Sequence, residues 1–192
     1  RISNSYATAT VTGSDLGTGG LVGYSIGTIS RSYATGQVVG GGYYTGGLVA
    51  VNRGSISDSY ATGAVSGGNH VVGGLVGING QMAGDSASIR HSYAPGNVSG
   101  AANDVGGLAG ANYTDISNSY ATGTVSGSAQ DVGGLVGIQY NGSISQTYAT
   151  GAVNGPSAGG SIGGLIGRQN NGTVSSSYWD METTGQDTSI GG

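Results

Sequence analysis

The side chains able to do acid–base or metal chemistry are few and far apart. His70 and His91 are the only histidines, and neither has a glutamate in the HExxH spacing of a zinc peptidase. Solvated surface positions account for both. A polysaccharide lyase built on a parallel β-helix would draw acids or basic groups into one groove, yet Glu182 is the sole glutamate and lysine is absent. Asp180, Glu182 and Asp187 crowd into a turn-rich tail, where solvation or capping explains them. No catalytic residue is expected, and the chain reads as a non-enzyme. Asp104 and Asp131 differ, because NDVGGL and QDVGGL put them at the same point of successive repeats. Stacked repeats would hold their carboxylates about 5 Å apart. Like charges so placed either tolerate each other in solvent or share a cation such as calcium. The calcium-solenoid pattern GGxGxDxUx is missing and two carboxylates are few ligands, so calcium is a secondary expectation and no other cofactor is expected.

A second chemistry is recognition. SYATG stands at 32–36, 59–63 and 119–123, with the variants SYATA at 5–9, SYAPG at 92–96 and TYATG at 147–151. If these segments align, Tyr6, Tyr33, Tyr60, Tyr93, Tyr120 and Tyr148 form one exposed row and Thr8, Thr35, Thr62, Thr122 and Thr150 another. Tyrosine rings in a row stack on sugars and offer phenolic hydrogen bonds, and a flat threonine array suits ice. The plainer reading is that ladders of identical residues hold a solenoid together. Sequons at Asn97, Asn112, Asn141 and Asn171 follow from the spelling of the repeat.

The elements that would position these residues follow from composition and period. With 43 glycines in 192 residues, no cysteine and no phenylalanine, the chain lacks the apolar spacing of an amphipathic helix and pays about 1 kcal/mol for each glycine a helix would contain. A net charge of −4 excludes the electrostatic footprint of a nucleic-acid binder, and no run reaches the roughly 18 apolar residues of a membrane span. Arg1 in place of Met suggests a processed product or a cut fragment. The motif tyrosines, continued by Tyr178, recur at 27, 27, 33, 27, 28 and 30 residues, and Gly-Gly-Leu runs in phase, at Leu21, Leu48, Leu75, Leu108, Leu135 and Leu165. The extra residues fall in GQMAGD (80–85) and near Pro156, as surface loops on a stacked array would. A period of 27 without LxxLxL predicts an all-β chain, a parallel β-solenoid of about seven coils pairing at about 4.8 Å and spanning roughly 30 Å.

Strand alternation then sorts each coil. Asn4, Arg31, Asp58, His91, Asn118, Gln146 and Ser176, two residues before each tyrosine, are read as outward-facing strand residues together with the tyrosines and threonines. Ser5, Ser32, Ser59, Ser92 and Ser119 face inward, where each hydroxyl needs a partner. Val11, Val38, Val65, Val98, Val125 and Val153 follow on the same side. One apolar stack is expected from Ile2, Ile29, Ile56, Ile89, Ile116, Ile144 and Val174, and a second from the leucines with Val22, Val49, Val76, Ala109, Val136 and Ile166. Pro95 lacks a ladder donor and should loosen or bulge the fourth coil.

GGLVG-x-(N/Q) followed by SIS-x-SYATG-x-V-x-G resembles the GLUG repeat, over 1–175, and SSYWDMETTGQ (176–186) is similar to the segment that follows the last such repeat. Residues 176–192 are accordingly read as an irregular segment and partial cap. GGLVA (46–50), GGLAG (106–110) and SYAPG depart from the pattern. The resemblance implies an extracellular or surface-attached bacterial scaffold, of the filamentous-haemagglutinin-like adhesin type or an accessory region of a secreted immunoglobulin A metallopeptidase, and implies no catalytic activity. The expected partners are further repeats of a longer chain or a second copy stacked end to end into a filament, and a host or cell-surface glycan.

Overall fold

The computed structural model describes residues 1–81, 85–101, 103–128, 130–156 and 159–191. The insertion expected in GQMAGD lies partly outside the described residues, at 82–84, and so does the stretch near Pro156 where an extra pair is expected, at 157–158.

Each coil is built from five short strands, which in the first coil are Ile2–Ser3, Tyr6–Ala7, Val11–Gly13, Gly17–Gly19 and Val22–Ser25. Equivalent strands of successive coils pair in parallel and in register, Ile2 with Ile29 and Tyr6 with Tyr33, giving five sheets that run the length of the molecule. The first and second sheets have seven strands and the other three have six. The chain is thus a parallel β-solenoid of six complete turns with the start of a seventh. β-Branched residues, alanine and tyrosine recur in the strands, and glycine ends the third and fourth strands of the first coil, at Gly13 and Gly19.

The inside is narrow because glycine and alanine meet there. A Cβ on Gly74 would lie 2.1 Å from the Gly107 carbonyl oxygen and 3.0 Å from the Ala94 Cβ. Gly-Gly before each leucine and Ala within SYATG are therefore one requirement, read from opposite walls of the coil. The expected isoleucine and leucine–valine stacks merge into one cluster, because across so thin a coil Ile56, Ala61, Leu75 and Val76 all touch. A second cluster packs Val38, Val65, Val98, Val125 and Val153 against Val72, Val105 and Val132.

One expectation fails at the residue before the motif. Asn4, Arg31, Asp58, His91, Asn118, Gln146 and Ser176 are exposed as expected, but they are not strand residues. Each adopts a left-handed conformation, with φ between 46° and 54°. The sharp corner between the first and second sheets sits there, and it breaks the SIS-x-SYATG run into two strands. Pro95 loosens its coil as expected but does not bulge it. The threonine N–H at this point normally donates to the alanine carbonyl of the preceding coil, as Thr62 does to Ala34 at 3.0 Å. Proline deletes that rung, and Ala61 and Ala94 lose the pairing that Ala34 and Ala61 keep, while Tyr60 with Tyr93 and Val65 with Val98 stay in register. Neighbouring rungs on both sides fix the register, and one missing bond is too small to shift them.

Beyond Tyr178–Trp179 the chain leaves the repeat. Helix α1 (Met181–Thr184) is capped by Asp180, whose Oδ1 accepts from the Glu182 N–H at 3.0 Å. The tail then crosses the open end of the last coil. Trp179 packs against Gly164 and donates from Nε1 to the Gln186 carbonyl at 3.0 Å, while Gln186 Nε2 donates to the Val153 carbonyl at 2.9 Å. Ile190 pairs in parallel with Ile166, and the Leu165 and Ile166 N–H groups both donate to Ser189 O. The tail supplies the next rung of the fifth sheet by a short cut across the core.

Candidate functional site

Two places gather the polar and aromatic side chains that could carry chemistry. The first is the outer face of the second sheet. Strand alternation turns Tyr out and Ser and Ala in, and the sheet spacing sets the rings one above another. Successive centroids of Tyr6, Tyr33, Tyr60, Tyr93, Tyr120 and Tyr148 are 5.3, 4.9, 4.9, 4.9 and 4.7 Å apart, with planes within 10° of parallel. The end rings are open, Tyr6 64 % and Tyr148 41 % exposed, and the middle four are half-buried by their neighbours. Burial first, and then the adjacent phenol, raises the pKa of Tyr93 and of Tyr120. Thr8, Thr35 and Thr62 stand exposed beside it and Thr122 and Thr150 are half-buried; Pro95 interrupts this second row.

Behind these rows the inward serines are fully engaged. Ser59 Oγ donates to the Ser57 carbonyl at 2.7 Å and accepts from the Ser32 N–H at 3.1 Å, and the pattern continues through Ser92 and Ser119. A third ladder lies at the end of the fifth sheet, where sequence reasoning assigned no role. Asn52, Asn79, Asn112 and Gln139 are completely buried, and each amide nitrogen donates to the next amide oxygen, at 2.8, 2.8 and 2.7 Å. The signal was present as an N or Q in register four residues after each Gly-Gly-Leu leucine, from Leu48 and Asn52 to Leu135 and Gln139, but polarity alone reads as exposure.

The second place is the outer side of the fourth and fifth sheets. Asp104 and Asp131 pair directly across adjacent strands and are 8 % and 2 % exposed. Arg168, one coil further on, brings Nη2 to 2.9 Å from Asp131 Oδ2, an ion contact whose direction falls short of a hydrogen bond. Burial, then the Asp131 charge, pushes Asp104 up to about 7. Asp131 is raised too, by burial, with Arg168 opposing it. Burial thus favours a proton on Asp104 up to about pH 7, while Asp131 faces Arg168. A cation already stands beside Asp131 in the form of Arg168, and among the described residues no third carboxylate, histidine or cysteine joins the two to make a metal cluster. His70 stacks on Tyr43 at 4.6 Å, while His91 sits at a corner 3.9 Å from Asp58. The two histidines do not come together.

A family model described as the GLUG motif matches residues 14–39, 41–66, 68–99, 101–126 and 128–154. No curated protein and no solved structure matches the chain.

Proposed function

The chain belongs to the GLUG-motif family, and we propose that it serves as a non-catalytic, extracellular scaffold, the rod-like segment of a bacterial surface adhesin or fibre. The observation that carries this reading is how the repeated polar side chains are used. At their repeated positions the tyrosines stack through six coils, the serines bond through five and the buried amides through four, all in one register. Such side chains supply cohesion along an axis and leave little for turnover. The half-buried core residues of the first coil, Ile2, Leu21 and Val22, contrast with the fully buried Ile29, Leu48 and Val49. Their face accepts one more coil of the same kind, from a longer chain or from a second copy.

A second reading, that the tyrosine row binds a glycan, is favoured by its parallel, partly exposed rings. One experiment addresses both. The chain and its Tyr33→Ser/Tyr60→Ser/Tyr120→Ser variant are compared for circular dichroism, thermal unfolding and binding to immobilised surface glycans. A scaffold ladder predicts a lower melting temperature and no glycan binding by either protein. Glycan binding lost in a still-folded variant makes the row a recognition face.

A further inference from the structure

The residues beside Asp104 make a second, unrelated site. Tyr43, Tyr44, His70, Asp104, Tyr113 and Tyr140 line a cleft of ≈170 Å³ on the outer side of the fourth and fifth sheets. Its walls are two aromatic stacks, Tyr43 on His70 at 4.6 Å and Tyr113 on Tyr140 at 4.3 Å. In each stack the two rings occupy the same position of adjacent coils. Underneath lies an apolar bed that includes Val71, Ile78, Ala111 and Ile138, all buried although outside the two core clusters. Asp104 is more than nine-tenths buried and still lines this space.

The charge count selects the ligand. Two carboxylates face one guanidinium, and that guanidinium contacts Asp131, so ionised Asp104 would be left with one uncompensated negative charge among aromatic faces. A divalent metal would need more oxygen ligands than the pair offers. A neutral sugar would leave the buried charge uncompensated. A compact organic cation meets both demands, since its charge is attracted by the ring faces as well as by the carboxylate. We propose that this cleft binds a monovalent organic ammonium group, a primary or methylated amine, with its charge against Asp104 and its alkyl surface against Tyr113, Tyr140 and Tyr43.

Binding is linked to a proton. Asp131 and Arg168 behind Asp104, the phenols of Tyr43, Tyr44, Tyr113 and Tyr140, and His70 are the ionisable groups around it. Asp104 holds its proton up to about pH 7. A cation must displace that proton below this pH, so affinity rises with pH and proton release accompanies binding at pH 6 but fades by about pH 8.5.

Titration calorimetry of the intact chain tests this with methylammonium and tetramethylammonium chlorides, against sodium chloride, calcium chloride and glucose at matched ionic strength. The expected result is saturable heat with an ammonium probe alone, weaker at pH 6 than at pH 8, with proton release at pH 6 revealed by buffers of different ionisation enthalpy. Asp104→Asn, which keeps the shape, should weaken binding by about tenfold or more, and Tyr140→Leu, which removes a ring face, by about threefold or more. Circular dichroism verifies that both variants are folded, and Tyr6→Ser, remote from the cleft, should bind as the unaltered chain does. A methylated probe bound better than methylammonium points to a trimethylammonium headgroup, and the reverse to a lysine-like amine. No saturable ammonium binding, binding unchanged in folded Asp104→Asn, or preference for calcium or glucose would overturn the proposal.

Discussion

Seven residues at the corner before the second sheet carry a backbone strain that the sequence conceals. A left-handed conformation costs an L-residue other than glycine about 1–2 kcal/mol, and asparagine and aspartate tolerate it best. Asn4, Asp58 and Asn118 suit the corner, whereas Arg31 and Gln146 fit it poorly. Gln146→Asn should therefore stabilise the chain by about 0.5–1 kcal/mol, seen as a higher denaturant midpoint at unchanged slope. An unchanged midpoint would mean that the corner is not strained. The sequence showed these positions to be polar and variable, which an outward strand residue and a left-handed corner share, and only φ separates them. The carboxylate pair makes a second residue-scale prediction. An unfolded aspartate titrates near 4, and Asp104 does so at about 7 in the fold. Between these values the folded chain holds the extra proton, so this pair's contribution to stability falls as pH rises from about 4 to about 7 and is constant above. Asp104→Asn should flatten that part of the profile and stabilise the chain at pH 8 by up to about 4 kcal/mol. A melting temperature that rises between pH 5 and 7 in the unaltered chain and is unaffected by the substitution contradicts the assignment.

Ladders are the units that hold at the scale of elements, and they differ in strength. The tyrosine row is partly exposed, and each stacked contact contributes about 0.5–1.5 kcal/mol. Inside the coil, Asn79 accepts from Asn52 and donates to both Asn112 and Thr114. Asn79→Ala removes the acceptor of one Asn52 amide hydrogen, whose nitrogen keeps its bond to the Gly54 carbonyl, and the donor to Asn112 Oδ1 and Thr114 Oγ1, costing about 2–4 kcal/mol. Tyr60→Ser should cost less, and a denaturation series comparing the two ranks them. If Tyr60→Ser proves the more damaging, the outer row is the main support. The solenoid itself was legible, because a phase-locked 27-residue spacing of Tyr and Gly-Gly-Leu admits few other shapes. The serine ladder was legible too, from strand parity. The asparagine ladder and the aromatic cleft were not. A buried amide and a solvated one look alike in a sequence, and the cleft joins the fourth sheet to the fifth, a relation across the coil that linear spacing does not contain.

Across the whole molecule each coil touches chiefly its neighbours, so stability sums over coils and the contacts between them. Excising residues 32–58 would join Arg31 to Ser59 and restore the same corner and motif. The shortened chain should keep its β-sheet circular dichroism and unfold at a lower denaturant concentration, the loss being that of one coil with one contact. Loss of folded structure would show that the coils are not interchangeable. The tail carries this further. It docks on Val153, Gly164, Leu165 and Ile166 of the last coil, and the Gly-Gly-Leu core of that surface is spelled again at Gly134 and Leu135, and at Gly107 and Leu108. A closing segment that recognises what every turn offers places no condition on how many turns precede it. Whole turns can then be added or removed with the same tail docking on whichever turn precedes it, so that reach becomes adjustable in steps of one coil without any change of contact chemistry.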